Sequence, residues 1–171
     1  SPSTTMTMPA NKPVAPIRGN VAKEMKTAAN IQKSSTFNKF NGGNSNIIEK
    51  MAFDKAFAQV RNKEYQQAVT QFKQFLISYP ESKYSDNALF WLASVYKVLK
   101  DIPAAKDTYN KVVKQYPDSD KAALSLLKLG DLHVQEKQLK QAKALYVEIM
   151  QKYANTTEAH QAEKKLQEME F

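Results

Sequence analysis

The chain has 171 residues, 42% apolar and 25% charged, a balance that fits one domain of ordinary size with a real core. It contains no cysteine, which excludes disulfides, thiolate metal sites and cysteine nucleophiles. Its net charge of +8 is uneven: residues 1–47 hold six basic side chains and one acid and residues 48–171 hold nineteen and sixteen, so the body lacks the charge of a dedicated nucleic-acid surface.

Residues 1–46 read as a flexible, basic linker rich in Ser, Pro and Asn. Four prolines precede Gly19, and such a piece buries too little apolar area to offset its ordering entropy. Residues 21–31 have weak helical spacing, Phe37 and Phe40 stand as isolated aromatics, and Asn41-Gly42-Gly43-Asn44 reads as an interruption. Residues 1–9 show no basic start followed by an apolar stretch, although a mature chain cut after its secretory signal has the same look. No apolar run approaches the roughly eighteen residues of a membrane span.

Residues 47–171 read as one helical domain. Apolar residues recur every three or four positions in successive windows, with Pro80 and Pro117 between them. Pro103 falls where it can occupy the first turn of a helix. Three sets of marks then repeat at a step of 37 residues: Ala68, Ala105 and Ala142; Phe72, Tyr109 and Tyr146; Phe75, Val112 and Ile149. Tyr79, Tyr116 and Tyr153 close the units. Ser82, Ser119 and Thr156 follow, where a hydroxyl caps either the next helix or the turn before it.

Each unit is expected to be an antiparallel helix pair, an inner helix followed by an outer one. In the second unit the inner helix is placed at residues 86–99 and the outer at 103–116, joined at Lys100-Asp101. Ala56, Ala93 and Gly130 keep the inner helices small where they meet the outer ones. Residues 156–169 read as a capping helix that turns Ala159, Ala162 and Leu166 inward and Glu163, Lys164 and Gln167 outward, as a terminal repeat requires. The fold expected is therefore all-α: a right-handed helical-repeat solenoid of about three units plus a C-terminal capping helix.

Leu92-Ala93-x-x-Tyr96, Ala105, Tyr109 and Pro117, with Leu129-Gly130-x-x-His133 and Ala142-x-x-x-Tyr146, resemble tetratricopeptide repeats, here three residues longer than the usual 34. The run from Phe72 through Tyr79-Pro80 to Leu92, with Tyr109 through Tyr116-Pro117 to Ser119, is similar to the C-terminal domain of the periplasmic Tol-Pal-associated cell division coordinators of Gram-negative bacteria. That resemblance spans about residues 49–169. It implies a periplasmic protein-binding role beside the Tol-Pal machinery, with a TolA-like envelope protein as partner, in coordinating division with outer-membrane constriction. The family's N-terminal trimerising coiled coil has no counterpart in this sequence, which leaves the oligomeric state open. Two alternatives stand beside it: a repeat lipoprotein that assists outer-membrane protein assembly, and a structural scaffold subunit.

No catalytic, cofactor-binding or metal-binding constellation emerges. His133 and His160 are 27 residues apart, and His133 occupies the slot of Tyr96 one unit earlier. Phosphate-cradling glycine motifs are absent from the sequence, and an enzyme is not expected. The expected site is a protein-binding groove on the concave side, where the inner helices place Phe53, Phe57, Arg61, Phe90, Trp91, Ser94, Lys97, Leu127 and Asp131.

Overall fold

A computed structural model of the chain describes residues 42–169. Seven α-helices follow one another there: α1 (Gly42–Arg61), α2 (Tyr65–Ser78), α3 (Ser85–Val98), α4 (Ile102–Gln115), α5 (Asp120–Gln135), α6 (Leu139–Lys152) and α7 (Thr157–Glu168). They stack in order, α2 on α3, α3 on α4 and onward to α6 on α7, with α5 reaching α7 and α3 reaching α5. This is a solenoid of three helix pairs and a capping helix. The linker expected over residues 1–46 lies outside the described residues up to Asn41. From Gly42 onward the chain is helix, so the Asn-Gly-Gly-Asn stretch does not interrupt there but opens α1. Glycine at a helix start costs little of what it costs in a helix interior, and Ser45 Oγ donates to Glu49 Oε1 one turn on, at 2.8 Å.

The repeat marks are the core. Ala68, Ala105 and Ala142 are fully buried, as are Phe72, Tyr109 and Tyr146 and, after them, Phe75, Val112 and Ile149. Gly130 answers to a steric need: a Cβ there would run into the ring of Tyr146 on α6. Ala56 and Ala93, at the same slot in the earlier units, are buried without that conflict. Pro103 sits in the first turn of α4, whose N-cap is Asp101.

The hydroxyls capping each boundary do so in both of the ways open to them. Ser119 Oγ accepts from Lys121 N–H at 3.0 Å, and Thr156 Oγ1 from Ala159 N–H at 3.1 Å, as helix caps. Ser82 Oγ instead accepts from Tyr84 N–H at 3.2 Å, in the turn before α3.

The turns inside the units share a feature without a glycine to announce it. Lys63, Lys100 and Lys137, again 37 residues apart, have φ of 62°, 66° and 60°. Each closes an inner helix with the same pair of bonds: Lys63 N–H to Val60 O and Glu64 N–H to Gln59 O, and the equivalents after α3 and α5. This is the Schellman ending, usually built on glycine; an L-residue in the left-handed region costs about 1–2 kcal/mol. A cation at the negative end of the helix offsets about 0.3–1 kcal/mol of that.

At the C-terminal end Ala159 and Ala162 are buried and Leu166 is half-buried, whereas Glu163, Lys164 and Gln167 face water. That end of the solenoid is closed by a polar surface.

Candidate protein-binding trough

The inner helices α1, α3, α5 and α7 carry the candidate site, and the 37-residue step sorts their side chains into rows. The row Phe53, Phe90 and Leu127 turns inward. Phe90 is 6% exposed and Leu127 2%, and both lie in the core cluster with Tyr109, Val112 and Tyr146. Phe90 sits 5.7 Å from the ring of Tyr109 and 5.8 Å from Trp91, with the Lys121 ammonium 5.8 Å from its centroid. Phe53 is half-buried against Phe72, Phe75 and Tyr84. An exposed aromatic stripe through Phe90 and Leu127, expected from the helix register, is thus absent. One residue's error in helical phase is about 100°, enough to exchange a groove position for one between units.

The next row over is Phe57, Ser94 and Asp131, of which Ser94 and Asp131 line clefts and each bond to the outer-helix ring fifteen residues on. In the first unit Phe57 packs instead against the apolar cluster that holds Phe72. Ser94 Oγ and Tyr109 OH are 2.9 Å apart in the second, and Tyr146 OH donates to Asp131 Oδ1 at 2.8 Å in the third. The side chain at this position therefore changes from apolar through neutral polar to acidic along the solenoid. At the apolar end Trp91 packs edge-on against Phe57 at 4.8 Å, and the Arg61 guanidinium lies 5.7 Å from the Phe57 centroid. Trp91 and Phe57 are half-buried, and Arg61 is exposed.

Two clefts run along α3, α5 and α7 and share Lys97 and Gln135. One, of about 440 Å³, is lined by Ser94, Lys97, Val98, Lys100, Ile102, Tyr109, Lys128 and Gln135. The other, of about 450 Å³, adds Asp131, Val134, Tyr146, Lys165, Glu168 and Met169. The first contains three lysines and no acid. The second holds the Lys165–Asp131 ion pair at 2.9 Å. Lys97 and Lys128 are half-buried, so their charge acts in a medium of lower dielectric than water. Register alone points to Ser94, Lys97 and Asp131 among these lining residues. It missed Lys100 and Lys165, and it missed the Tyr109 and Tyr146 hydroxyls, whose constant fifteen-residue offset from a polar inner residue was the available signal.

Burial pushes the Tyr146 phenol up from its usual 10.0, and the hydrogen bond to Asp131 and that carboxylate's charge act in the same direction. Burial also raises Tyr109, against the opposing bond from Ser94. Both phenols keep their protons in the folded chain at pH values where the unfolded chain has lost them. Their contribution to stability is complete below about pH 10 and is lost as pH rises beyond it. The unfolding midpoint is expected to fall above that pH, and more shallowly in Tyr146→Phe. Parallel alkaline melts of the two proteins check this; identical slopes would mean that Tyr146 titrates as it does unfolded.

Among the described residues no group of three or more His, Asp or Glu is placed to hold a metal ion. His133 Nδ1 is within 2.5 Å of Gln138 Oε1, and the ring is half-buried in the slot of Tyr96. Among those residues, too, no helix is long and apolar enough to cross a membrane.

Residues 52–82, 87–119 and 124–156 each match the tetratricopeptide repeat, together more than half of the chain. The chain belongs to the tetratricopeptide repeat family. Its repeats make it a non-catalytic protein-interaction module. A stretch of 47 residues is 40% identical to the cell division coordinator CpoB of Pseudomonas putida, covering 28% of this chain and 18% of that protein. The match thus takes in less than a fifth of the relative's length. The crystal structure of a tetratricopeptide repeat protein from Parabacteroides merdae superposes with a TM-score of 0.56 at 19% identity, over 83% of this chain and 50% of that one. That likeness speaks to the fold alone.

Proposed function

We propose that this chain is a periplasmic adaptor of the cell-division machinery that binds a segment of a TolA-like envelope protein along its concave side. The similarity to CpoB supports the compartment and the process. The trough supports the mode: Lys97, Lys100 and Lys128 line one cleft without a carboxylate among them, which suits an extended partner segment bearing acidic side chains. In this reading Phe57, Arg61 and Trp91 receive an apolar anchor at one end, and Ser94, Lys97 and Asp131 fix the polar remainder. Phe53, Phe90 and Leu127 support the wall from behind.

Titration of the chain with the periplasmic part of a TolA-like protein tests the reading. Lys97→Glu/Lys128→Glu should bind at least about tenfold more weakly than wild type, corresponding to roughly 1.4 kcal/mol. The gap should narrow as salt is raised. Equal affinities would remove the trough as the site, and a wild-type chain that does not bind at all would remove the Tol-Pal partner.

A further inference from the structure

The two ends of the solenoid are unlike. The polar outer face of α7 closes one end. At the other, Ile47, Ile48 and Met51 of α1 share a helix face and are 58%, 51% and 66% exposed. The repeat shows what those positions are for. One unit on, Ile48 and Met51 become Ser85 and Ala88; two units on, Ala122 and Ser125. All four are fully buried. Ala88 lies in the core cluster with Phe72 and Phe75 of the preceding outer helix, and Ser85 Oγ donates to Tyr79 O just after that helix. Inner units thus place small residues here because an outer helix lies on them. The first unit places two of the larger apolar side chains at the same positions, with a third beside them.

The sequence one period upstream lacks the marks of the repeat's outer helices. Ser35 and Asn38 stand where Phe72 and Phe75 would recur, and Ile31 takes the place of the invariantly small Ala68, Ala105 and Ala142.

We infer that this face of α1 is the interface of a dimer of this chain. Three observations select a second copy. An exposed apolar stripe is what terminal repeats otherwise avoid by turning polar residues outward, as α7 does. Charge does not oppose pairing: Lys50 and Asp54 of α1 neutralise each other at 2.5 Å, and Glu49 and Lys55 balance. The basic trough, by contrast, would repel its copy. Finally, the polar α7 face is no complement to the stripe, which rules out head-to-tail stacking and an open filament. What remains is the isologous arrangement, α1 against α1 about a two-fold axis, which closes at two copies. It leaves both troughs open.

Sedimentation equilibrium of the full chain over a concentration series tests this, with Met51→Asp and Ile48→Asp as variants. Both residues are exposed, so helical circular dichroism should be unchanged. The wild type should show a monomer–dimer equilibrium and no larger species, and each variant should weaken it at least tenfold. A wild type that is monomeric throughout would overturn the inference. So would a variant that dimerises as well as wild type. A monomeric wild type whose unfolding midpoint drops in Met51→Asp would overturn it too, by giving the face to the chain's own leading segment.

Discussion

Phe90→Ala should destabilise the chain by about 3–5 kcal/mol, the usual cost of removing a buried phenylalanine ring. The ring is 6% exposed and touches three other groups at aromatic distances: Trp91, Tyr109 and the Lys121 ammonium. Its removal leaves a cavity between the second and third units, which ring-to-ring contacts and dispersion now fill. Equilibrium denaturation in urea, wild type beside variant, measures the effect. The midpoint should fall with little change in slope, because the surface exposed on unfolding is nearly the same. A midpoint within experimental error of wild type would return the ring to the surface and revive it as a groove residue. The variant is therefore a poor probe of binding. Loss of affinity in Phe90→Ala would report a loosened repeat, whereas the lysines of the trough can be changed without touching the core.

Ala105→Leu is expected to cost roughly 1–3 kcal/mol from the opposite cause, too much volume. Ala105 is fully buried where α4 crosses its neighbours, and its equivalents Ala68 and Ala142 are equally closed off. A leucine adds three carbons to a site whose repeat-mates never exceed one methyl group. The helices can accommodate it only by separating, which would also disturb the Ser94–Tyr109 bond one turn away. The same urea titration gives the number. An unchanged midpoint would mean that the alanine row does not mark the closest approach of the helices. Because loss of volume and excess volume both destabilise the central unit, the pair of variants brackets how closely that unit is packed.

The repeat was legible because it is a property of the sequence at fixed spacing. Ala68, Ala105 and Ala142 could be aligned without knowing any coordinate, and their burial follows from the helix period. The capping hydroxyls were legible for a similar reason, since a helix start leaves N–H groups that only a nearby acceptor can satisfy. The start of α1 was not. Gly42 and Gly43 read as a break on propensity alone, and propensity is a weak signal at a helix end, where few backbone bonds are at stake. Nor were the left-handed lysines legible. Nothing local marks Lys63, Lys100 and Lys137 for positive φ; the packing of each helix pair fixes the length of the turn, and the residue standing there bears the strain.

By itself the sequence determined that this chain is a helical repeat, where its repeat marks recur, that those marks lie in the core and that a polar-faced helix follows the third unit. Each of these rests on periodicity or on hydrogen bonds between neighbours along the chain. Tertiary structure decided which side chains face the trough. Phe90 and Ser94 lie on one helix four residues apart, yet one is in the core and the other at an open cleft, because the stacking angle between units sets which row is covered. It also decided the chemistry of that cleft. Lys97, Lys100 and Lys128 are spread over some thirty positions of sequence, and only the packing of α3 on α5 through α4 brings their charges around one space. Their joint field is a property of distance, and distance between units is what a linear pattern does not hold.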